Sequence, residues 1–213
     1  MNKKDKQMNL SNENMILTDD ELAVMEDRVA DSLHDALSSL QIDTANDHNT
    51  KDTAKRIAKM WVREKFRGRY AAAPAITVFP NVQNIDQLMT IGPIRLKSTC
   101  SHHFVDFVGQ CWIGILPDDK LIGLSKYARI VDWFARRPQI QEELTAQITK
   151  WLEETIRPRG VAVVIKAKHF CCAARGVEDD NMEFLTTEIR GAFRKNDSLK
   201  QEFYNQIAIM KNS

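Results

Sequence analysis

The amino-acid sequence predicts an α+β domain, with two consecutive helices on one face of an antiparallel sheet and a helical extension before it. Apolar residues recur at helical spacing in three segments, 22–40, 127–134 and 140–152. Two further segments, 88–116 and 160–171, show the alternation or the continuous apolar runs that are typical of strands. These strands precede and follow the second and third helices, an order that favours helices packed together on one side of a sheet.

Composition sets the broad class. The 213 residues include 30 basic and 29 acidic side chains, and this net charge of +1 excludes a general electrostatic affinity for nucleic acid. No apolar stretch reaches membrane-spanning length, no leader pattern opens the chain, and the four cysteines do not form a disulfide framework, so we expect a cytoplasmic protein without a membrane partner. We expect a mobile polar tail over 1–17, a helical region over 18–70 and the main domain over 71–213.

The helical region has recognisable boundaries. Thr18 and Glu21 have the spacing of a capping box, which predicts a helix from there to about Leu40. A second helix is predicted to open near Thr53, and its inward-facing residues are predicted to be Ile57, Met60 and Trp61.

The main domain is predicted element by element. A short strand is expected over 76–79, and strand-like alternation begins at Leu88. The apolar run 104–116, with Gly109 near its middle, predicts paired strands or a bent hairpin. Ser125 is the expected N-cap of one helix and Pro138 the start of the next. A strand follows from residue 160, then a weakly patterned loop over 179–185 and a partly helical end around Phe193 and Phe203.

Two short stretches predict a metal site. They are Cys100-Ser101-His102-His103 and His169-Phe170-Cys171-Cys172, and they hold three of the five histidines and three of the four cysteines. Cys100 and His103 are three residues apart, so one turn brings both to the same ion. Strand alternation continued past residue 169 selects Cys171 over Cys172 as the third ligand, unless a bulge shifts the register. Three ligands with an open fourth position are typical of catalytic Zn²⁺.

The neighbouring residues have less specific patterns. His102 and His169 adjoin the ligands, and histidine is the residue type best suited to carry protons near neutral pH, so these two are the expected proton carriers. Cys111 and Cys172 are expected to be ordinary core or sheet residues. Two basic pairs at a spacing of three, Arg56 with Lys59 and Lys126 with Arg129, fit either a solvated surface or an anion-binding edge.

The stretch from residue 98 to 193 resembles type I GTP cyclohydrolase. The matching segments, in order and at family spacing, are Ser98-Thr99-Cys100, His102-His103-Phe104, Gly123-Leu124-Ser125-Lys126, Ala128-Arg129-Ile130-Val131, Arg137-Pro138-Gln139, Gln141-Glu142, and His169 with Cys171 and Arg175-Gly176. A weaker match covers Arg56-Ile57-Ala58-Lys59-Met60. Several rare residue types agree at once, so this signal is more specific than a single motif.

The resemblance implies a tunnelling fold, a toroidal homodecamer with active sites shared between subunits, and conversion of GTP and water to formate and 7,8-dihydroneopterin triphosphate. It implies Zn²⁺ held by Cys100, His103 and Cys171, with His102 and His169 in proton transfer. Glu142 is expected to accept hydrogen bonds from the guanine edge, a role that a carboxylate suits because it accepts two donors at once. The residues implied in substrate binding are Glu142 for the base, Gln141 beside it, and Ser125, Lys126, Arg129, Arg175 and Lys59 for the triphosphate.

Three positions depart from the family pattern. Ser101 stands where a Glu is usual, Ala54 replaces a Pro, and the segment 178–185 is acidic where small Ser and Thr residues are usual. These departures leave two alternatives open beside an active GTP cyclohydrolase. One is a diverged enzyme of the same fold with an altered nucleotide substrate, and the other is a non-catalytic zinc-binding paralogue.

Overall fold

The computed structural model describes residues 9–211, and the chain divides into two compact units, Met1–Ala72 and Ala73–Ser213. The first eight residues of the predicted tail lie outside the described residues. In the described part, the Asn14 side-chain amide donates to the backbone carbonyls of Gly68, Arg69 and Ala71 at 3.1, 2.9 and 2.8 Å. Residues 14–17 are therefore hydrogen-bonded to the end of the helical region rather than free of it.

The first helix of unit Met1–Ala72 starts as predicted. Helix α1 spans Asp19–Ser39, and its capping box is formed: the Glu21 N–H donates to Thr18 Oγ1 at 3.3 Å and the Thr18 N–H donates to Glu21 Oε2 at 2.9 Å. Each bond satisfies a donor that a helix start leaves without an intrahelical partner.

The second helix begins at the predicted residue but buries a different face. Helix α2, Thr53–Lys59, continues into a π-helical turn, Met60–Lys65, and the short helix α3, Arg67–Tyr70. The predicted inward stripe is wrong, because its three residues are only half-buried. The buried residues recur every four positions and are Ala54, Ala58, Val62 and Phe66. Two of them are alanines, whose small side chains let α2 pack closely against α1.

Unit Ala73–Ser213 contains two sheets. Strands β1 (Val78–Pro80) and β4 (Lys120–Ile122) form an antiparallel pair. The other five strands form one sheet in the order β5-β2-β3-β6-β7. They are β2 (Met89–Cys100), β3 (Asp106–Leu116), β5 (Pro138–Gln139), β6 (Gly160–His169) and β7 (Phe184–Gly191). Within this sheet β2 and β5 are parallel and the other neighbours are antiparallel.

Two strands differ from the sequence prediction. Residues 106–116 of the run 104–116 form a single strand, β3, and the glycine near its middle does not mark a bend. A Cβ on Gly109 would lie 2.0 Å from the Lys166 carbonyl oxygen, so this glycine permits the close approach of β3 and β6. Strand β7 was predicted only as loop and terminal structure, although its Leu-Thr-Thr-Glu-Ile composition suits a strand.

The two central helices pack on one face of the large sheet. Helix α4 spans Leu124–Ala135 and α5 spans Gln141–Ile156. Both begin away from the predicted residues: Gly123 is the N-cap of α4, and Pro138 belongs to β5. The largest core cluster lies between these helices and the sheet; its fully buried members include Leu96, Phe107, Ile113, Ile130, Leu144, Ile148, Leu152 and Ile165.

The opposite face of the sheet is also covered, so the prediction that helices occupy one face is incomplete. Helix α7 (Ala192–Lys195) and helix α8 (Asp197–Lys211) follow the last strand. Trp112 and Val164 point to this side and pack with Phe193 and Phe203 in a second buried cluster. Among the described residues, no helix combines the length and apolar character needed to cross a membrane.

The core of the large unit gives a stability prediction. Leu152 is fully buried, and we expect Leu152→Ala to lower the free energy of unfolding by about 2–5 kcal/mol, because it loses apolar burial and leaves a cavity. Ile209 on α8 is 66% exposed, so Ile209→Ala is the matched control, with an expected change below about 0.5 kcal/mol. Urea denaturation of both variants measures the difference, and equal losses would contradict the described packing.

Candidate metal and catalytic site

The first two metal-ligand candidates lie in the turn between β2 and β3. Cys100 is the last residue of β2. The Phe104 N–H donates to the Cys100 carbonyl at 2.9 Å, and the Cys100 N–H donates to the Val105 carbonyl at 2.9 Å. These bonds close a tight turn over residues 100–105, which holds His103 close to Cys100, as their spacing predicts.

Strand β5 brings the start of helix α5 to this turn. Cys100 pairs with Gln139 in the parallel ladder, and the Ser101 N–H donates to the Gln139 carbonyl at 3.2 Å. Helix α5 begins two residues later, so Gln141 and Glu142 are placed beside the β2 end. A parallel pairing of only two residues has little signal in the sequence. The sequence patterns of residues 100–105 and of α5 therefore could not show that the turn and the helix lie side by side.

The third candidate comes from the end of β6. The strand stops at His169, and Phe170–Ala173 form a short helix, α6. The strand-alternation argument for Cys171 is therefore wrong, because residue 171 is not in a strand. The structure nevertheless groups Cys171, and not Cys172, with the other two candidates.

The three side chains form a group that fits zinc. One ligand atom from each of Cys100, His103 and Cys171 lies within 4.8 Å of the other two, and both thiols are buried while the imidazole is exposed. Two sulfurs and one nitrogen are donors that zinc prefers. Burial, together with the neighbouring Cys100 and Cys172 thiols, raises the pKa of Cys171, so a metal ion has to displace a proton from this thiol.

A pocket of about 280 Å³ adjoins this group. Its walls combine both thiols with the predicted proton carriers and base-binding residues; they are Cys100, His102, Ile140, Gln141, Glu142, His169, Cys171, Cys172, Met182, Glu183 and Phe184. The structure thus brings together residues that are up to 84 positions apart in the sequence. Such a mixture of apolar walls and a few convergent polar groups is typical of a small-molecule site.

His169 is held firmly in this pocket. Its ring stacks on Phe107, with centroids 4.5 Å apart and planes 5° from parallel, and Phe184 approaches its edge at 6.0 Å. Burial lowers the pKa of His169, and the negative charge of Glu142 partly opposes this shift. The imidazole is therefore biased toward its neutral form by its surroundings.

Gln141 contacts protein rather than open space. Its Oε1 lies 2.9 Å from His169 Nε2, and its Nε2 lies 3.0–3.1 Å from Ile165 O, Phe184 O and Thr186 Oγ1. The side chain has no exposed surface. Glu142, by contrast, is exposed at the first turn of α5, where a carboxylate is favoured by the helix dipole.

The five predicted phosphate-binding residues lie elsewhere. Ser125, Lys126 and Arg129 are on α4, where Ser125 and Arg129 are exposed and the Lys126 ammonium donates to the Ala75 carbonyl at 3.2 Å. Arg175 is exposed after α6, and Lys59 is exposed at the end of α2. The pocket walls described above include none of them.

Several residues at the site were not predicted from the sequence. Phe107 and Phe184 enclose His169, and Met182 and Glu183 add a wall from the acidic segment. Glu183 is paired with Lys166 on β6. An alternating pattern in β7 could have indicated that this segment returns to the sheet, but nothing local indicates which pocket it borders.

The fold and the site define an α+β protein with a metal-competent cysteine–histidine group beside a pocket that contains acid–base side chains. A family model described as GTP cyclohydrolase I matches residues 17–208. The GTP cyclohydrolase 1 of Enterobacter sp. (strain 638) is 42% identical over 180 residues, which cover 84% of this chain and 81% of that protein. The GTP cyclohydrolase 1 of Wigglesworthia glossinidia brevipalpis is 45% identical over 165 residues, which cover 77% and 76%.

The chain belongs to the GTP cyclohydrolase I family and is an enzyme of that family. The resemblance carried by the short motifs is thereby confirmed. Among solved structures, an archaeosine synthase QueF-like protein in its apo form matches with a TM-score of 0.39 and 14% identity, covering 57% of this chain and 98% of that one.

Proposed function

We propose that this chain is a zinc-dependent GTP cyclohydrolase that opens the imidazole ring of the guanine in GTP, giving formate and 7,8-dihydroneopterin triphosphate. The observation that carries the proposal is the grouping of Cys100, His103 and Cys171 beside a pocket that also contains His169 and Glu142, in a chain of this family. The catalytic chemistry then belongs to residues 73–213, and the product supplies folate, pterin or deazaguanine synthesis.

Zinc is the metal that suits the donor set. Cys100, His103 and Cys171 would hold it, and three protein ligands leave one position open, as in catalytic rather than structural sites. When bound, zinc supplies a Lewis acid that makes water a nucleophile at neutral pH. The thiol ligands have to stay reduced, which favours the cytoplasm as the location.

The protein's own task is to move protons as the ring opens. Carbon 8 of guanine accepts the oxygen of water, and its bond to one ring nitrogen breaks. A second water then releases carbon 8 as formate by breaking its bond to the other nitrogen, so both nitrogens have to gain a proton. The freed amine condenses with the ribose to close the pterin ring and returns one water. His102 and His169 both line the pocket and are the groups suited to accept a proton from water and return one to the ring. Stacking on Phe107 limits the motion of the His169 ring and so favours a fixed direction of transfer.

Glu142 is the proposed guanine-recognition residue. Its carboxylate is exposed and lies in the pocket wall. The guanine edge presents two adjacent donors, N1–H and the 2-amino group, and one carboxylate accepts both. Adenine presents an acceptor at N1, so the same carboxylate disfavours it.

The triphosphate is proposed to bind where subunits meet. Ser125, Lys126, Arg129, Arg175 and Lys59 carry the required cations and hydroxyl, and they are outside the pocket walls of one chain. Apolar side chains next to the site, Phe104, Phe170 and Leu185, are 39–54% exposed, which supports contact with another copy of the chain. A homodecamer of the family type would supply such contacts.

The acidic segment supports a second candidate, a diverged enzyme with an altered nucleotide substrate. Met182 and Glu183 line the pocket at positions where small Ser and Thr residues are usual in the family. A carboxylate close to a triphosphate opposes its binding unless a cation neutralises it, and Lys166 is the cation paired with Glu183. A different phosphate tail is the substrate change that this charge would favour.

Incubation of the zinc-loaded protein with GTP tests the proposal. We expect formate release and pterin fluorescence after oxidation, with no turnover of guanosine. Turnover of another nucleotide in place of GTP would favour the diverged enzyme. Stoichiometric zinc without any turnover would overturn the proposed activity and favour a non-catalytic zinc-binding paralogue.

A further inference from the structure

We infer that Gln141 is a positioning residue for His169 and not a contact for the substrate. This role rests on the proposed function, because it matters for catalysis only if His169 transfers protons. The inference follows from which atoms of the Gln141 amide can donate and which can accept.

The direction of the Gln141 amide is fixed by its partners. Its Nε2 faces the carbonyl oxygens of Ile165 and Phe184 at 3.1 Å each. Carbonyl oxygens only accept hydrogen bonds, so the amide NH₂ group has to be on that side. The amide oxygen therefore faces His169 Nε2 at 2.9 Å and accepts a hydrogen bond from it.

This assignment determines the tautomer of His169. A ring nitrogen that donates to Gln141 Oε1 carries a hydrogen, so the neutral imidazole is the Nε2–H tautomer and its lone pair is on Nδ1. The stacked Phe107 ring holds the plane of the imidazole, and Gln141 holds its rotation within that plane.

Two buried threonines complete a closed ring of hydrogen bonds with Gln141. The two hydrogens of the Gln141 NH₂ group face three acceptors, so Thr186 Oγ1, 3.0 Å from Nε2, shares one of them with a carbonyl oxygen. The Thr145 hydroxyl donates to the Gln141 backbone carbonyl at 2.7 Å. The two hydroxyl oxygens are 2.7 Å apart, and since the Thr145 hydrogen is already used, Thr186 is the donor between them. All three residues are at most 9% exposed, so water cannot replace a lost partner without rearrangement.

The substitution Gln141→Met tests the inference because it keeps the length of the side chain and removes the acceptor. We expect kcat for GTP to fall about 10- to 100-fold, with KM within about twofold and zinc content unchanged. Gln147→Met makes the same change on the same helix outside the pocket walls and should match wild type. A raised KM with kcat retained would overturn the inference, since that is the result expected of a substrate contact.

Thr186→Val is a milder variant that breaks the hydrogen-bonded ring and leaves Gln141 Oε1 in place. Its kcat should fall about fivefold, the cost of one neutral hydrogen bond. Thr149→Val removes another buried hydroxyl of α5, which donates to the Thr145 carbonyl at 2.8 Å and is not part of this ring, and should have little effect. Equal kcat values in these two variants would overturn the role of the threonine ring.

Nitrogen NMR of the histidine side chains tests the same inference without a variant and without activity. In the wild-type protein, above the pH at which the ring is protonated, His169 should show the Nε2–H tautomer, and Gln141→Met should show a mixture. An Nδ1–H tautomer in the wild type would overturn the inference. If the wild type shows the Nε2–H tautomer but no GTP turnover, the proposed function fails while the positioning of His169 by Gln141 stands.

Discussion

Replacing Cys171 with alanine is expected to abolish stoichiometric zinc binding. The thiol contributes one of three ligand atoms that lie within 4.8 Å of one another, and the two that remain are too few for a stable site. Removing a residue that only supports a metal ligand lowers metal affinity by up to about 100-fold. Removing the ligand itself should therefore lower zinc affinity by more than about 100-fold. GTP turnover should fall by about 1000-fold or more, because the several kcal/mol of stabilisation supplied by the metal are lost.

Cys172→Ala is the matched control. Cys172 is the next residue in α6 and lines the same pocket, and its sulfur lies 4.0 Å from the Cys171 sulfur. The two variants therefore make the same chemical change a few ångströms apart. We expect the control to retain full zinc content, measured by elemental analysis after dialysis, and most of its activity. Zinc lost from Cys172→Ala and kept in Cys171→Ala would contradict the described ligand group.

The choice between these two thiols shows how the structure can group the residue that was selected by an argument it contradicts. Strand alternation was extended past His169, but the chain turns into α6 there, and a helical turn also directs Cys171 toward Cys100. Clustering of cysteine and histidine could be found from the sequence because these residue types are rare and their chemistry is specific. The backbone conformation that orients these side chains depends on where β6 stops pairing with its neighbouring strands. The hydrophobic pattern of the sequence does not show that position.

The environment of His169 was the least predictable part of the site. Its stacking partner comes from β3, its hydrogen-bond partner from α5 and its edge contact from β7. Gln141 was assigned to substrate binding through the family resemblance, together with its motif neighbour Glu142, yet adjacent residues at a helix start point in different directions. Both residues belong to the pocket walls, but the Glu142 side chain is exposed and the Gln141 side chain is buried, a difference that the packing of α5 determines.

The sheet illustrates the same limit on a larger scale. Alternation along β2 and β6 indicated strands correctly, since each presents a buried face to α4 and α5. Helix α8 was expected only as partly helical structure, and its packing on the other face of the sheet depends on Phe193 and Phe203 meeting Trp112. Contacts between residues about 90 positions apart leave no local periodic signal.

Glu142→Gln is expected to remove most of the activity on GTP while leaving zinc in place. The variant side chain keeps one acceptor but turns the other group into a donor, which then faces a donor of the guanine edge. A buried donor facing a donor is costly, and we expect kcat/KM for GTP to fall by about 1000-fold. The negative charge of this carboxylate also opposes the effect of burial on the pKa of His169, so its loss changes the site beyond base recognition.

Glu143→Gln separates recognition from general electrostatics. Glu143 is the next residue of α5, exposed and in the same first turn, and it is not part of the pocket wall. A loss confined to Glu142→Gln is the expected result, measured by formate release at saturating and limiting GTP. Comparable losses in the two variants would assign the effect to negative charge at the start of α5. A Glu142→Gln variant with normal activity would mean that the guanine edge is read by another group, because a carboxamide cannot accept from both guanine donors at once.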